Sequence, residues 1–274
     1  MYMTKERKKI PSLNYNYPIP LWFPFDTSNV WGFGFAFGYF LVLITLITIA
    51  FLVVVYVPTI VLFFMEMYAQ LGILNHSIIN LDKRAALLFN SSNNIFAKSS
   101  SRMAMDISSL IENKDYQRCL LYCLKQNVQH HWAIKRFRDT FQHLIGIFLG
   151  DVLVGSGLMI VTLSLTLAKS DTAFSPDNVK LLFLLGCELL NLFGYCLCGT
   201  LVKDRSLSVQ TALFHCSWLQ LSQSSKKSLQ IFQVCSTRPL VFKGAGTFEI
   251  NLECYLQVLN TTYSTFNVLN SINS

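Results

Sequence analysis

Glu249, Glu253, Asn260, Ser264 and Asn267 follow one another at steps of four, seven, four and three residues inside an otherwise apolar stretch. Those steps return to one face of a helix, with Leu256 and Gln257 filling the gap between them. The opposite face carries Phe248, Ile250, Leu252, Tyr255, Leu259, Phe266 and Leu269. Inside a membrane such a polar stripe needs water or polar partners along its length. One copy cannot enclose water, but several copies around a symmetry axis can. The chemistry is then passage of ions rather than bond-making, and the helix lines a pore. Packing of the stripe against polar neighbours in the same chain is the competing reading.

Other reactive residue types do not converge. His76, His130, His131, His143 and His215 form no HExxH arrangement, and no GxSxG or phosphate-binding loop is present. Gly244-Ala245-Gly246 is too short for a dinucleotide loop and reads as a chain break before a span. Cys119 and Cys123 with His130 and His131 match no common zinc template. Cys187, Cys196, Cys198 and Cys254 fall in apolar stretches, where cysteine packs as a small hydrophobe. Neither catalysis nor a metal or other cofactor is expected. Asp151 and Glu188 are the remaining ionisable residues in apolar stretches, read either as interfacial groups or as functional ones.

The elements that must position these residues follow from composition. Of 274 residues only 14% are charged, against about 25% in soluble chains, while 52% are hydrophobic and 22 are Phe. The mean hydropathy is +0.42. Thirty-seven charges cannot cover a soluble surface of this size, and the apolar content excludes disorder. The net charge of +7 lies in short segments between apolar stretches, so it reports membrane topology and not nucleic acid. The expected fold class is all-α: an integral membrane helical bundle of four transmembrane helices with cytoplasmic helical extensions.

Residues 30–64 contain no Asp, Glu, Lys or Arg and make the first span, longer than the roughly 20 residues a bilayer needs. Pro58 should kink or loosen its far end. Further spans are expected at 143–168, 181–202 and 247–270, the last polar enough for a hydropathy window to miss. Segment 65–142 carries ten Lys and Arg and segment 203–246 carries six, which puts both in the cytoplasm. The segment before the first span (1–29), the loop 169–180 and the terminus 271–274 are then extracellular. Leu110, Ile111, Cys119, Leu120, Cys123, Leu124, Ile134 and Phe141 recur at near-helical spacing, so segment 65–142 is helical. The runs Asn90-Ser91-Ser92-Asn93-Asn94 and Ser99-Ser100-Ser101 read as a flexible connection. The glycosylation patterns at Asn75, Asn90 and Asn260 fall in cytoplasm or membrane and should go unused.

Toward the C-terminus, Trp218, Lys226-Lys227-Ser228-Leu229, Arg238-Pro239-Leu240, Gly244-Ala245-Gly246-Thr247-Phe248 and Thr262-Tyr263-Ser264-Thr265-Phe266-Asn267-Val268-Leu269 resemble the end of an insect odorant receptor. Ile19-Pro20-Leu21-Trp22-Phe23-Pro24-Phe25-Asp26 resembles the segment before that family's fourth span. The resemblance implies that this chain corresponds to spans four to seven of seven, N-terminally truncated. It implies a subunit of a ligand-gated cation channel, a hetero-tetramer with an odorant co-receptor, in the plasma membrane of olfactory neurons. The cytoplasmic helices would form an anchor domain and the last span the pore. Volatile apolar ligands would meet Phe33, Phe35, Phe37 and Tyr39 with Phe183 and Cys187, since aromatic linings bind small molecules mainly by burial. Glu253, Leu256, Gln257, Asn260 and Ser264 would line the pore, with Leu256 near the narrowest point. A gustatory-type receptor, a non-conducting membrane scaffold and an inert truncated product are the alternatives.

Overall fold

The computed structural model describes residues 32–96, 113–168, 176–216, 218 and 221–273. Ile19–Asp26, Leu110, Ile111 and Ser99–Ser101, and the loop residues 169–175, lie outside the described residues. The chain divides into two compact units, Met1–Leu62 and Phe63–Ser274.

In the first unit, α1 (Phe33–Phe51) leads into a π-helical turn (Leu52–Tyr56) and the opening of α2 (Val57–Ile79). The π turn sits just ahead of Pro58, where the expected loosening falls. Proline has no N–H and its ring crowds the carbonyl four residues back, so regular α bonding cannot continue across it. Thr45 and Thr48 donate their hydroxyls to the Leu41 and Ile44 carbonyls, both at 2.8 Å. Both hydroxyls are thus satisfied within the apolar helix.

The second unit is built around one helix. After α2 come α3 (Leu81–Phe96), α4 (Lys114–Ala168), α5 (Pro176–His215), α6 (Gln223–Ser236), a hairpin of β1 (Lys243–Gly244) and β2 (Phe248–Glu249), and α7 (Leu252–Asn273). With 55 residues α4 is about 82 Å long. It touches α3, α5, α6, β1 and α7. Its N-terminal part packs against α3 and α6, and its apolar C-terminal part runs beside α7.

The α2–α3 stripe is spaced for burial. Phe64, Met67, Leu71, Leu74, Ile78, Leu81 and Ala85 alternate three and four residues apart and are all buried. Tyr116, Leu120, Leu124, Ile134 and Phe141 of α4 are buried too, with Phe64 against Phe141 and Phe89 of α3 against Tyr116. Phe64, Phe141 and Phe242 form edge-to-face pairs, with the Phe64 and Phe242 centroids 4.6 Å apart. Arg84 crosses this core to Asn127 (2.9 Å), Gln126 (3.0 Å) and Ser77, so its charge is held by neutral acceptors.

Several boundaries differ from the expected ones. Asn90–Asn94 is helical and not a connection, because Phe89 is buried and carries α3 through a weak stretch. The 181–202 stretch is part of a helix that starts at Pro176, where a missing N–H costs nothing. That helix runs on to His215. The last helix begins at Leu252, not at 247, and extends to Asn273. Residues 243–249 are hairpin instead: Ala245 and Gly246 take φ of 49° and 77°, and Ile250 N–H returns to the Phe242 carbonyl at 2.9 Å. Among the described residues, three helical stretches are long and apolar enough to cross a membrane, 54–79, 114–168 and 178–215, and α7 is not one of them.

Candidate functional site

The first turn of α7 is held by its own cap and by α5. Asn251 caps it, its Oδ1 accepting the Cys254 N–H at 2.8 Å. Thr200 of α5 accepts the Leu252 N–H on its hydroxyl at 2.9 Å. Tyr255 packs edge-on against Phe193 of α5, centroids 5.6 Å apart. Further along, Val258 and Thr262 lie over Gly157 of α4, where a methyl group would meet Val258 at 3.7 Å. The Thr262 hydroxyl donates to the Val258 carbonyl at 2.6 Å, leaving a closed, nonpolar contact.

One side of α7 therefore belongs to its own chain. Cys254 and Thr262 are 6% exposed, whereas Leu256 is 58% exposed. Glu253, Gln257, Asn260 and Ser264 are exposed with Leu256. The five residues expected to line a pore thus share one open face, and α4 and α5 cover the other. A groove of about 370 Å³ beside this face is lined by Gly157, Leu158 and Val161 of α4 and Gln257, Thr261 and Thr265 of α7.

Glu249 does not join them. It lies in β2 opposite Lys243, and its carboxylate is 3.5 Å from Lys203 Nζ of α5. The step of four to Glu253 spans a helix start and so does not define a shared face.

The residues expected to meet ligand lie in both units. On α1, Phe33 stacks on Phe37 and Phe35 on Tyr39, with centroids 6.3 and 6.4 Å apart. On α5, Phe183 and Cys187 are exposed. Next to Cys187, Glu188 accepts the hydroxyl of buried Ser156 of α4 at 2.5 Å, so this carboxylate joins two helices. Asp151 is exposed on α4.

His131 is buried against Phe232, and its burial, with Lys135 and His130 nearby, holds its pKa below the usual imidazole range. Burial also lowers that of His130, whose Nε2 lies 2.9 Å from Gln70 Oε1. The Cys216 thiol is pushed up to about 11, chiefly by burial. Burial raises Cys119 and Cys123 as well. These thiols stay protonated, unlike metal ligands. Among the described residues no three His, Cys, Asp or Glu side chains gather as a metal site would need.

Sequence reasoning missed the mounting of α7 on its neighbours. Gln142, Gly146 and Gly150 of α4 contact the hairpin, and Gly199 of α5 contacts Ile250 just after it. A trace was available: Gln142, Gly146 and Gly150 recur at steps of four, and small residues at that interval permit close backbone approach.

The fold and the open polar face define an all-α membrane helical bundle whose last helix leaves a polar face uncovered by its own chain. The 7tm Odorant receptor family matches residues 1–263, and the chain belongs to that family. This selects the odorant over the gustatory reading. The chain is 24% identical to the Odorant receptor coreceptor of Drosophila melanogaster over 155 residues, 53% of this chain and 32% of the coreceptor. It is 22% identical to Odorant receptor 9a of the same insect over 190 residues, 63% of this chain and 48% of that one. The chain thus spans about a third of the length of the coreceptor it matches. The insect olfactory receptor OR5 of Machilis hrabei, solved in complex with eugenol, has a similar fold. That likeness has a TM-score of 0.50 at 16% identity, covering 79% of this chain and 68% of the receptor.

Proposed function

We propose that this chain is a subunit of a heteromeric, ligand-gated cation channel of the plasma membrane, crossing it several times and opening when a volatile apolar molecule binds. The observation that carries the reading is the open polar face of α7. Exposed carboxylate, amide and hydroxyl groups cannot face lipid at low cost, so water or another subunit must cover them. Several copies around an axis supply both.

In such an assembly Glu253 forms a ring of carboxylates that favours cations, and Gln257, Asn260 and Ser264 replace part of the hydration shell. Leu256 supplies an apolar constriction able to exclude water. The partner is an odorant co-receptor, consistent with the coreceptors among this chain's relatives. Ligand contacts are assigned to Phe33, Phe35, Phe37 and Tyr39 on α1 and to Phe183 and Cys187 on α5, whose chemistry suits a small molecule with few hydrogen bonds.

Co-expression with a coreceptor and recording of odour-evoked current tests the function, with eugenol as a first probe. Ligand-evoked cation current is expected. Surface delivery without current would leave a membrane scaffold, and no delivery an inert product.

A further inference from the structure

We infer that the hairpin of residues 243–249 couples α4 and α5 to α7, and that Gln142 is the residue that positions it. The functional consequence rests on the channel reading; the structural hold does not.

The hairpin is gripped from the α4 side. The Gln142 amide acts as a short extra strand: its Nε2 donates to the Lys243 carbonyl at 2.6 Å and its Oε1 accepts the Lys243 N–H at 2.8 Å. One turn on, the Gly146 carbonyl accepts the Ala245 N–H at 2.7 Å. At Gly150 a methyl group would lie 2.8 Å from the Ala245 nitrogen, so the two backbones are in contact there. Residues 244 and 247 close the turn through a 3.1 Å bond, and β1 pairs with β2. The segment has little slack.

Its exit is gripped from the α5 side. A methyl group at Gly199 would lie 2.0 Å from the Ile250 carbonyl oxygen, and Thr200 holds the Leu252 N–H. The chain is therefore tied to α4 at Lys243 and Ala245 and to α5 at Ile250 and Leu252. A displacement of α4 relative to α5 has to move the first turn of α7, which carries Glu253. The glycines allow this approach but do not hold it. The Lys203–Glu249 pair at 3.5 Å is partly exposed and contributes little. The paired Gln142 bonds hold the hairpin to α4 with the directionality that coupling needs.

The test uses this chain co-expressed with an odorant receptor coreceptor and eugenol as the probe. Gln142→Met keeps side-chain length and removes both bonds; Gln142→Glu keeps only the acceptor. Gln142→Met is expected to shift the half-maximal eugenol concentration about fivefold or more, with Gln142→Glu in between. Unitary conductance and cation selectivity should keep their unsubstituted values, because the open face of α7 is untouched. Fewer channels at the surface with an unmoved half-maximal concentration would mean a merely structural residue and overturn the coupling. Hydrogen exchange on the purified chain reads the hold without current. Gln142→Met should speed exchange at the Lys243, Ala245 and Cys254 amides and leave Leu71 and Ile78 unchanged. Unaltered exchange at 243–254 overturns the inference whatever the currents do. If the unsubstituted chain gives no eugenol-evoked current, exchange alone decides the hold.

Discussion

At Gly199 a methyl group would fall 2.0 Å from a backbone oxygen, so alanine there must push Ile250 off α5. Overpacking against backbone, which cannot change rotamer, costs about 1–3 kcal/mol or more. Gly199→Ala should lower the thermal midpoint of the purified chain in detergent, whereas Gly186→Ala, with open space around it, should leave it unchanged. His131 sets a pH dependence of a definite sign. Its folded-state pKa lies below the usual imidazole value of about 6.5, first because of burial and then because of Lys135 and His130. The unfolded chain therefore binds a proton more readily. The stability contributed by neutral His131 is present above about pH 6.5 and is lost as pH falls toward the folded pKa, by up to about 1.4 kcal/mol per unit. Unfolding midpoints measured between pH 7.5 and 5.5 should fall in the unsubstituted chain and fall less in His131→Phe, which keeps a ring against Phe232.

Among the elements, the α2–α3 stripe and α7 make opposite demands. Leu71 and Leu74 are fully buried, and truncating either to alanine should cost about 2–5 kcal/mol, read as lost thermal stability and lost surface delivery. On α7, cysteine substitution from Leu252 to Asn267 should give modification that blocks current with a period near 3.6 residues, peaking at Glu253, Leu256, Gln257, Asn260 and Ser264. Block centred on Val258 and Thr262 would show that the face covered by α4 is the conducting one. The stripe was legible because three-and-four spacing of large apolar residues over several turns fits only a helix. That Glu253, Gln257, Asn260 and Ser264 share a face of α7 was legible from their steps of three and four. The hairpin was not. Two-residue strands carry no periodicity, and a step of four returns to one face in a strand as well as nearly so in a helix, so Glu249 reads equally well as either. The Asn- and Ser-rich run in α3 misled because propensity is a weak prior that buried Phe89 overrides.

For the whole molecule, the distribution of exposed apolar residues matters more than their number. Ile147 is 82% exposed, but it lies in the apolar half of α4, where lipid is a matching solvent. Trp132, Ile231 and Val234 are 54%, 66% and 71% exposed on α4 and α6, among lysines and serines on the side of the chain with the basic segments. A groove of about 370 Å³ runs between the two helices, with Lys125 and Ser228 at its walls beside Trp132 and Ile231. On the proposed topology, with both basic segments in the cytoplasm, water is the solvent there, and an apolar patch facing water would mark a surface that another chain covers. Ile231→Glu is the discriminating change, because its side chain is mostly open and the fold does not depend on it. The variant should keep its thermal midpoint within about 2 °C, as exposed substitutions usually do. If the proposed assembly with a coreceptor uses this groove, the variant should nevertheless lose about tenfold or more in co-purification with the coreceptor, because a carboxylate buried without a partner at an interface costs more than about 1.4 kcal/mol. Unchanged co-purification would place the assembly surface elsewhere, whereas a collapsed midpoint would show that Ile231 supports the fold instead.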